Sequence, residues 1–212
     1  MTIVSLKTGV DGNLNRIELS DGSLFSFRLC YLPPDLFNIN LTPDTAQGRE
    51  ITAAEEAAFR HASACLRAEK AALRLIARAE QCTAGLSRKL QKRRHEASCA
   101  GAVISRLSEL RLLDDNRFAR LWLQSRLRLA RSPRRLLLSL CARGIDRDDA
   151  EAALKAVLDE EAELALLSRF AKKHARKAAR SGDGEDVTRS LKYLLKSEGF
   201  SHAAIQRFLN DE

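Results

Sequence analysis

The chain is predicted to be mainly α: three tandem three-helix repeats in a curved, solenoid-like array, preceded by a small N-terminal antiparallel β meander. Three observations predict this. Ala, Leu, Arg, Glu and Lys dominate after residue 50, and Pro133 is the one proline beyond Pro43, a bias that favours helices over strands. Leucines four apart recur three times, each time with a turn position and an apolar pair at fixed distances behind them. Residues 3–29, by contrast, alternate apolar and polar side chains and carry Asp-Gly dipeptides, the marks of strands joined by tight turns.

Taken in order, Ile3–Lys7, Asn15–Leu19 and Ser23–Leu29 are the expected strands, with Asp11-Gly12 and Asp21-Gly22 supplying the positive φ angles of the hairpins. Pro33-Pro34 then breaks the chain, and the stretch to Gly48 reads as a linker or adaptor loop. Thr52-Ala-Ala-Glu55 is a capping box. It should open a long helix running to about Glu80, with Ala58, Cys65, Leu66, Leu73 and Ile76 on its buried side.

The repeat follows. Leu86 and Leu90 precede Arg94 and then Val103-Ile104; Leu136 and Leu140 precede Gly144 and then Ala153-Leu154; Leu191 and Leu195 precede Gly199 and then Phe208-Leu209. Leucines at i and i+4 share one helix face, and Gly just past a helix end takes the left-handed conformation that closes it. Asp146 and Ser201 are placed to cap the next helix. Each repeat has a preceding helix: the one to Glu80, Asp115–Ala130, and Glu160–Arg180. Ser132-Pro133 suits the start of the second middle helix, a cap followed by Pro at the first helical position. The expected organisation is a strand extension and linker over 1–50, the long helix and first repeat over 51–113, the second repeat over 114–158 and the third over 159–212.

Composition narrows the function classes. At 45% hydrophobic and 30% charged residues the chain is too apolar to be disordered, and nothing approaches the roughly 20 apolar residues of a membrane span. The N-terminus lacks a signal-peptide pattern, so a cytoplasmic protein is expected. The five cysteines are scattered and never in CxxC spacing, which fits reduced, small apolar residues. His95 and Cys99 lie one helical turn apart, but no second pair accompanies them, and no metal site is expected. No phosphate loop, HExxH or GxSxG is present. The adjacent acids Asp114-Asp115 and Asp148-Asp149 stand where helices begin, so capping accounts for them without a nuclease centre. No catalytic residue and no cofactor are expected.

The net charge is +8, and it is unevenly spread: residues 1–50 hold four Lys/Arg against six Asp/Glu, which leaves +10 on the rest. Three basic runs carry it. They are Arg88, Lys89, Lys92, Arg93 and Arg94; Arg126, Arg128, Arg131, Arg134 and Arg135; and Arg169, Lys172, Lys173, Arg176, Lys177 and Arg180. Such stripes suit phosphates or acidic protein surfaces; a solvated face with its own ion pairs is the alternative. Aromatic residues are only 5%. Phe118 and Trp122, one turn apart, are read as core of the second repeat rather than a base-stacking platform.

The run Leu112-Leu113-Asp114-Asp115-Asn116-Arg117-Phe118-Ala119-Arg120-Leu121-Trp122 resembles the LLDDxRFAxxW signature of the RecX family, regulators of the RecA recombinase. Pro133-Arg134-Arg135-Leu136 with Leu140 and Gly144-Ile145 is similar to that family's PRRLxxELxxKGI segment, and Ala72–Arg78 with Ser87–Leu90 to its opening. Residues 48–211 are covered in this way, most strongly in the second repeat. Arg94 departs from the family's Gly, so the first middle helix is expected to close differently or continue. Ala130 and Ser132 replace glycines, implying a stiffer turn, and Ser139 replaces a Glu.

The resemblance implies a non-enzymatic monomer that lies in the groove of the RecA–DNA filament and restrains ATPase, filament growth and strand exchange, in the setting of recombinational repair and the SOS response. It also implies weaker, phosphate-directed binding to single- and double-stranded DNA. The expected contact residues are Arg88, Lys89, Lys92, Arg93, Arg117, Arg126, Arg134 and Arg135, with Asp114, Asp115, Phe118, Trp122, Gly144 and Gly199 structural. The alternative is a stand-alone, sequence-independent DNA-binding protein.

Overall fold

Alternation at the N-terminus produces three antiparallel strands, β1 (Ile3–Thr8), β2 (Leu14–Leu19) and β3 (Leu24–Arg28), in the order β1-β2-β3. Ile17 pairs with Leu6 on one side and Phe25 on the other, and with Ile3, Leu19 and Phe27 these form the buried face. Ile3 and Leu6 differ in parity yet both point inward. A register shift between Ile3 and Ser5 inserts the extra residue that allows it. Gly22 takes φ 84° in the second turn, where the Ser23 N–H and hydroxyl donate to the Asp21 carboxylate at 2.9 and 2.8 Å.

The computed structural model describes residues 1–9, 13–37, 46–178 and 184–210. The Asp11-Gly12 turn, much of the 33–48 connection and Arg180 lie outside them, as do the side chains of Arg176 and Lys177. Within the connection, Pro34–Phe37 forms a short helix, α1. Residues 46–51 then run back beside β1: Gly48 N–H donates to the Ile3 carbonyl, Ile3 N–H to Arg49 and Ile51 N–H to Met1. These bonds cover an edge that would otherwise stand open.

Thr52 caps α2 (Ala53–Ile76) through the full reciprocal box. Glu55 N–H donates to Thr52 Oγ1 at 3.2 Å, and Thr52 N–H to Glu55 Oε2 at 2.8 Å. The helix stops four residues short of Glu80. The buried Gln81 amide turns back and donates to the carbonyls of Leu75 and Ala79, adding to the Arg78 and Ala79 N–H bonds that the Leu75 carbonyl already accepts. The stripe Phe59, Ala62, Cys65, Leu66, Ala68, Glu69 and Ala72 is buried. Leu73, expected inside, is 36% exposed: it lies about 100° round the helix from Ala72, on the rim of the stripe.

The sheet lies on α2. Phe27 and Phe59 stack at 5.3 Å, and Glu69, 3% exposed, accepts from Arg28 of β3 at 2.9 Å with Arg106 Nε at 3.7 Å. Strands and helices share one hydrophobic core reaching from Ile3 to Leu113. The chain divides into two compact units, Met1–Leu113 and Asp114–Glu212.

The first unit adds α3 (Thr83–Lys92) and α4 (Ala97–Glu109). The second holds α5 (Asp115–Arg126), α6 (Pro133–Cys141), α7 (Arg147–Val157), α8 (Glu160–Ala178), α9 (Gly184–Ser197) and α10 (His202–Asn210). In each successive triplet the first helix packs on the third: α2 on α4, α5 on α7, α8 on α10. Leu86, Leu90, Leu136, Leu140 and Leu195 are fully buried. The first member of each apolar pair, Val103, Ala153 and Phe208, is buried and the second half-buried.

The three middle helices end alike. Gly144 N–H donates to the Cys141 carbonyl and Ile145 N–H to Leu140; Gly199 donates to Lys196 and Phe200 to Leu195; Arg94 donates to Gln91 and His95 to Leu90. This is the Schellman pattern. The first copy, expected to close differently, closes the same way, with Arg94 itself at φ 63°. Closure is dictated by the Leu90 packing and the two backbone bonds, and Arg94 accepts the left-handed strain that Gly would avoid. Arg111, at φ 55°, closes α4 in the same manner, with Leu112 donating to Leu107.

Candidate nucleic-acid interface

The basic runs divide by environment. Arg88, Lys89, Lys92 and Arg93 lie on the exposed C-terminal half of α3, where cations also offset the negative end of the helix dipole. Lys89 Nζ donates to the Gln81 side-chain carbonyl, so one of the four is also tied to the end of α2. Arg88, Lys92 and Arg93 face solvent over much of their surface.

The second run starts around Trp122. Arg143 lies 4.5 Å and Arg126 5.6 Å from its ring centre, so two guanidinium groups sit on the one tryptophan. Arg126 is thereby drawn into packing. Ala119 and Leu123 are the fully buried residues of α5, whereas Phe118 and Trp122, expected in the core, are half-buried beside them. The partial exposure of Trp122 leaves its ring accessible to the two guanidinium groups. Nothing in the sequence pattern marks Arg143 for this role. Its Nη1 donates to the Ser139 carbonyl at 2.7 Å, which holds it at the end of α6 over the ring.

Asp114 caps α5, its carboxylate accepting from Arg117 N–H at 2.9 Å, and Asp115 occupies the first turn, where the helix dipole favours an anion. Arg117 is half-buried in that same turn. Asp146 accepts from Asp148 N–H at 2.9 Å and Ser201 from Ala204 N–H at 3.1 Å, so the predicted caps of α7 and α10 form.

Ser132, wholly buried, caps α6 by accepting from Arg135 N–H and donates its hydroxyl to the Glu198 carboxylate. Arg134 N–H donates to the Glu198 carbonyl at 3.0 Å, and Arg134 Nη1 to that of Ser197 at 3.3 Å. The start of α6 is thus seated on the end of α9. Gly199 takes a left-handed φ of 85°, which glycine adopts without strain; an added Cβ would meet Arg134 N at 3.4 Å, an ordinary van der Waals contact. Arg134 is partly committed to structure; Arg135 is 64% exposed with Glu198 at 3.9 Å.

Beside it the fold gathers residues that are far apart in sequence. Arg131, Arg135, Leu138, Ser139 and Ala142 join Lys173 of α8 around an open groove of about 510 Å3. Three cations from the second and third basic runs converge there, next to the 58% exposed Leu138. A positive groove with an apolar wall suits an anionic polymer or an acidic protein segment.

Among the described residues, one group of potential metal donors occurs: His61, Cys65 and Cys99. The histidine grouped with Cys99 is therefore His61, not His95. Burial and the adjacent Cys99 thiol push the Cys65 thiol above its ordinary range. No helix is long and apolar enough to cross a membrane among the described residues.

Comparison with known proteins places these features in a family. The family model for the second three-helix domain of RecX matches residues 114–154, which carry the Asp114 cap, Trp122 and the Ser132–Gly144 helix. The chain is 36% identical over 146 residues to the regulatory protein RecX of Treponema pallidum (strain Nichols), spanning 68% of this chain and 85% of that one. It is 32% identical over 134 residues to that of Mycobacterium leprae (strain Br4923), spanning 63% and 78%. Among solved structures, a regulatory protein RecX superposes with a TM-score of 0.73 at 19% identity, over 100% of this chain and 99% of the other. RecX from Lactobacillus salivarius gives 0.56 at 21%, over 71% and 97%; these two bear on the fold alone. With its helix triplets, its capped Asp114–Trp122 helix and relatives matched over most of their length, the chain belongs to the RecX family of regulatory proteins.

Proposed function

We propose that this protein modulates the RecA recombinase by binding the RecA–DNA filament, chiefly restraining its ATPase and strand exchange. The observation that carries the reading is that the family-matched segment itself presents Arg131, Arg135 and Leu138, which meet Lys173 in an open basic groove. In this reading that groove, with Arg88, Lys92 and Arg93 on α3, contacts DNA phosphate or acidic recombinase surface. Arg117, Arg126 and Arg134 support the contact by holding helix starts and the Trp122 stack in place. Binding, not chemistry, is the mode of action, and the protein works as a monomer.

The test is substoichiometric addition to the DNA-stimulated ATPase of the cognate RecA, with filament affinity measured across a salt series. Inhibition is expected. The Arg131→Ala/Arg135→Ala/Lys173→Ala variant should weaken filament binding by about tenfold or more. It should also flatten the log–log salt slope by about one for each cation–phosphate pairing that the substitutions remove. An ATPase unchanged by the wild-type protein overturns the proposal. Equal affinity for naked DNA and filament would favour the stand-alone DNA-binding reading, which the +8 net charge supports on electrostatic grounds alone.

A further inference from the structure

The cluster between α2 and α4 is independent of the basic interface and unused by it. Each helix contributes a pair of donors at helical spacing: His61 and Cys65, four apart on α2, and Cys99 on α4 with Glu96 three residues before it at the helix's N-cap. Pairs so spaced project from one helix face. The Cys65 Sγ lies 3.5 Å from His61 Nε2, the Cys99 Sγ 3.8 Å from Nδ1, and the donor atoms of His61, Cys65 and Cys99 are all within 4.8 Å of one another. Glu96 Oε2 stands 4.0 Å from Nδ1.

The two sulfur–imidazole separations have the right size, each sulfur facing a different ring nitrogen. With Zn–S near 2.3 Å and Zn–N near 2.0–2.1 Å, the edges of a tetrahedral zinc site span about 3.5–3.8 Å. A modest rotation of the imidazole brings one of its nitrogens to the ion. The two thiols are 0% and 1% exposed, whereas the His61 side chain is 41% exposed and lines an open hollow of about 560 Å3 with Glu56, Arg60 and Glu96. The hollow is an entry path; Arg60 and Arg67 also line it and Arg60 pairs with Glu56, which leaves Glu96 as the carboxylate beside the imidazole. The remaining requirements for a credible site, a soft donor set and adequate ligand number, are met by two thiols and an imidazole with a fourth position open beside Glu96.

We propose that Cys65, Cys99 and His61 form a zinc-binding site that clamps α2 to α4, with the fourth position open to water or the Glu96 carboxylate. Zn2+ is favoured over harder ions because two of the three donors are sulfur. The ion would tie together the two helices that hold the first unit's core, at the start of α4.

The experiment uses the full chain with its five cysteines reduced, titrated with Co2+ as a spectroscopic stand-in and then with Zn2+. One equivalent of Co2+ should give an intense thiolate-to-cobalt charge-transfer band and tetrahedral d–d bands, and stoichiometric Zn2+ should abolish both. His61→Gln, at a partly exposed position where the fold survives and circular dichroism can verify it, should weaken Co2+ binding at least about tenfold. Cys99→Ser should remove much of the charge-transfer intensity, and Cys30→Ser, outside the cluster, should change nothing. Absence of the charge-transfer band in the reduced protein overturns the proposal. So does full-strength binding in folded His61→Gln, or its loss in Cys30→Ser.

Discussion

Arg94 holds a left-handed conformation at φ 63° in a position where the other two repeats use Gly144 and Gly199. A non-glycine residue there costs about 1–2 kcal/mol, part of which glycine's greater freedom in the unfolded chain would cancel. Arg94→Gly is therefore expected to stabilise the protein by about 0.5–1 kcal/mol in denaturant unfolding; a destabilised variant would mean that the guanidinium makes compensating contacts. Glu55 gives a second prediction at this scale. The Thr52 N–H, with the Thr52 hydroxyl and Arg49, holds its carboxyl below the ordinary 4.5. A group with a depressed folded pKa contributes stability that is present above its unfolded value and lost as pH falls through the folded one. Glu55→Gln should then cost about 1 kcal/mol at neutral pH, and the deficit should shrink as pH falls through the depressed folded value. Parallel acid limbs for variant and wild type would contradict this.

Between elements, the contact that organises the second unit is the seating of α6 on the end of α9. Ser132 is both the N-cap of α6 and the donor to Glu198, so one hydroxyl serves two helices. Ser132→Ala removes a cap worth about 1 kcal/mol and leaves a largely buried carboxylate short of a donor, for a total of about 1–2 kcal/mol. Hydrogen exchange should quicken at Arg134 and Arg135 N–H and also near Ser197–Gly199; quickening confined to α6 would show that the helices are not coupled. Neither the Ser132–Glu198 pair nor the Arg143–Trp122 stack is legible in the sequence, because 66 and 21 residues separate the partners and no local periodicity relates them. The caps at Thr52, Asp114, Ser132 and Asp146 are legible, since each depends on a donor within three residues.

For the molecule as a whole, the two compact units carry the consequences. The N-terminal sheet is part of the first unit's core through Phe27–Phe59 and the Arg28–Glu69 pair. Deleting residues 1–50 should therefore destabilise that unit strongly, since it exposes Phe59 and leaves the buried Glu69 without one of its two cations. Each effect alone is worth about 3 kcal/mol. Cooperative unfolding of the truncated chain at the wild-type midpoint would show the sheet to be dispensable.

The amino-acid sequence determined the helical repeats, their caps, the strand alternation and the family, because those depend on spacings within a turn or two of helix or on contiguous motifs. Three things came only from tertiary structure. The Leu90 packing imposed a left-handed turn on Arg94 that the residue alone would not choose. The convergence of Arg131, Arg135 and Lys173 on one groove followed from the fold bringing Lys173 of α8 near the start of α6. The meeting of His61 with Cys99, 38 residues away, required α2 and α4 to pack face to face. Local propensity sets each element, but which side chains meet is decided by burying the faces those elements present.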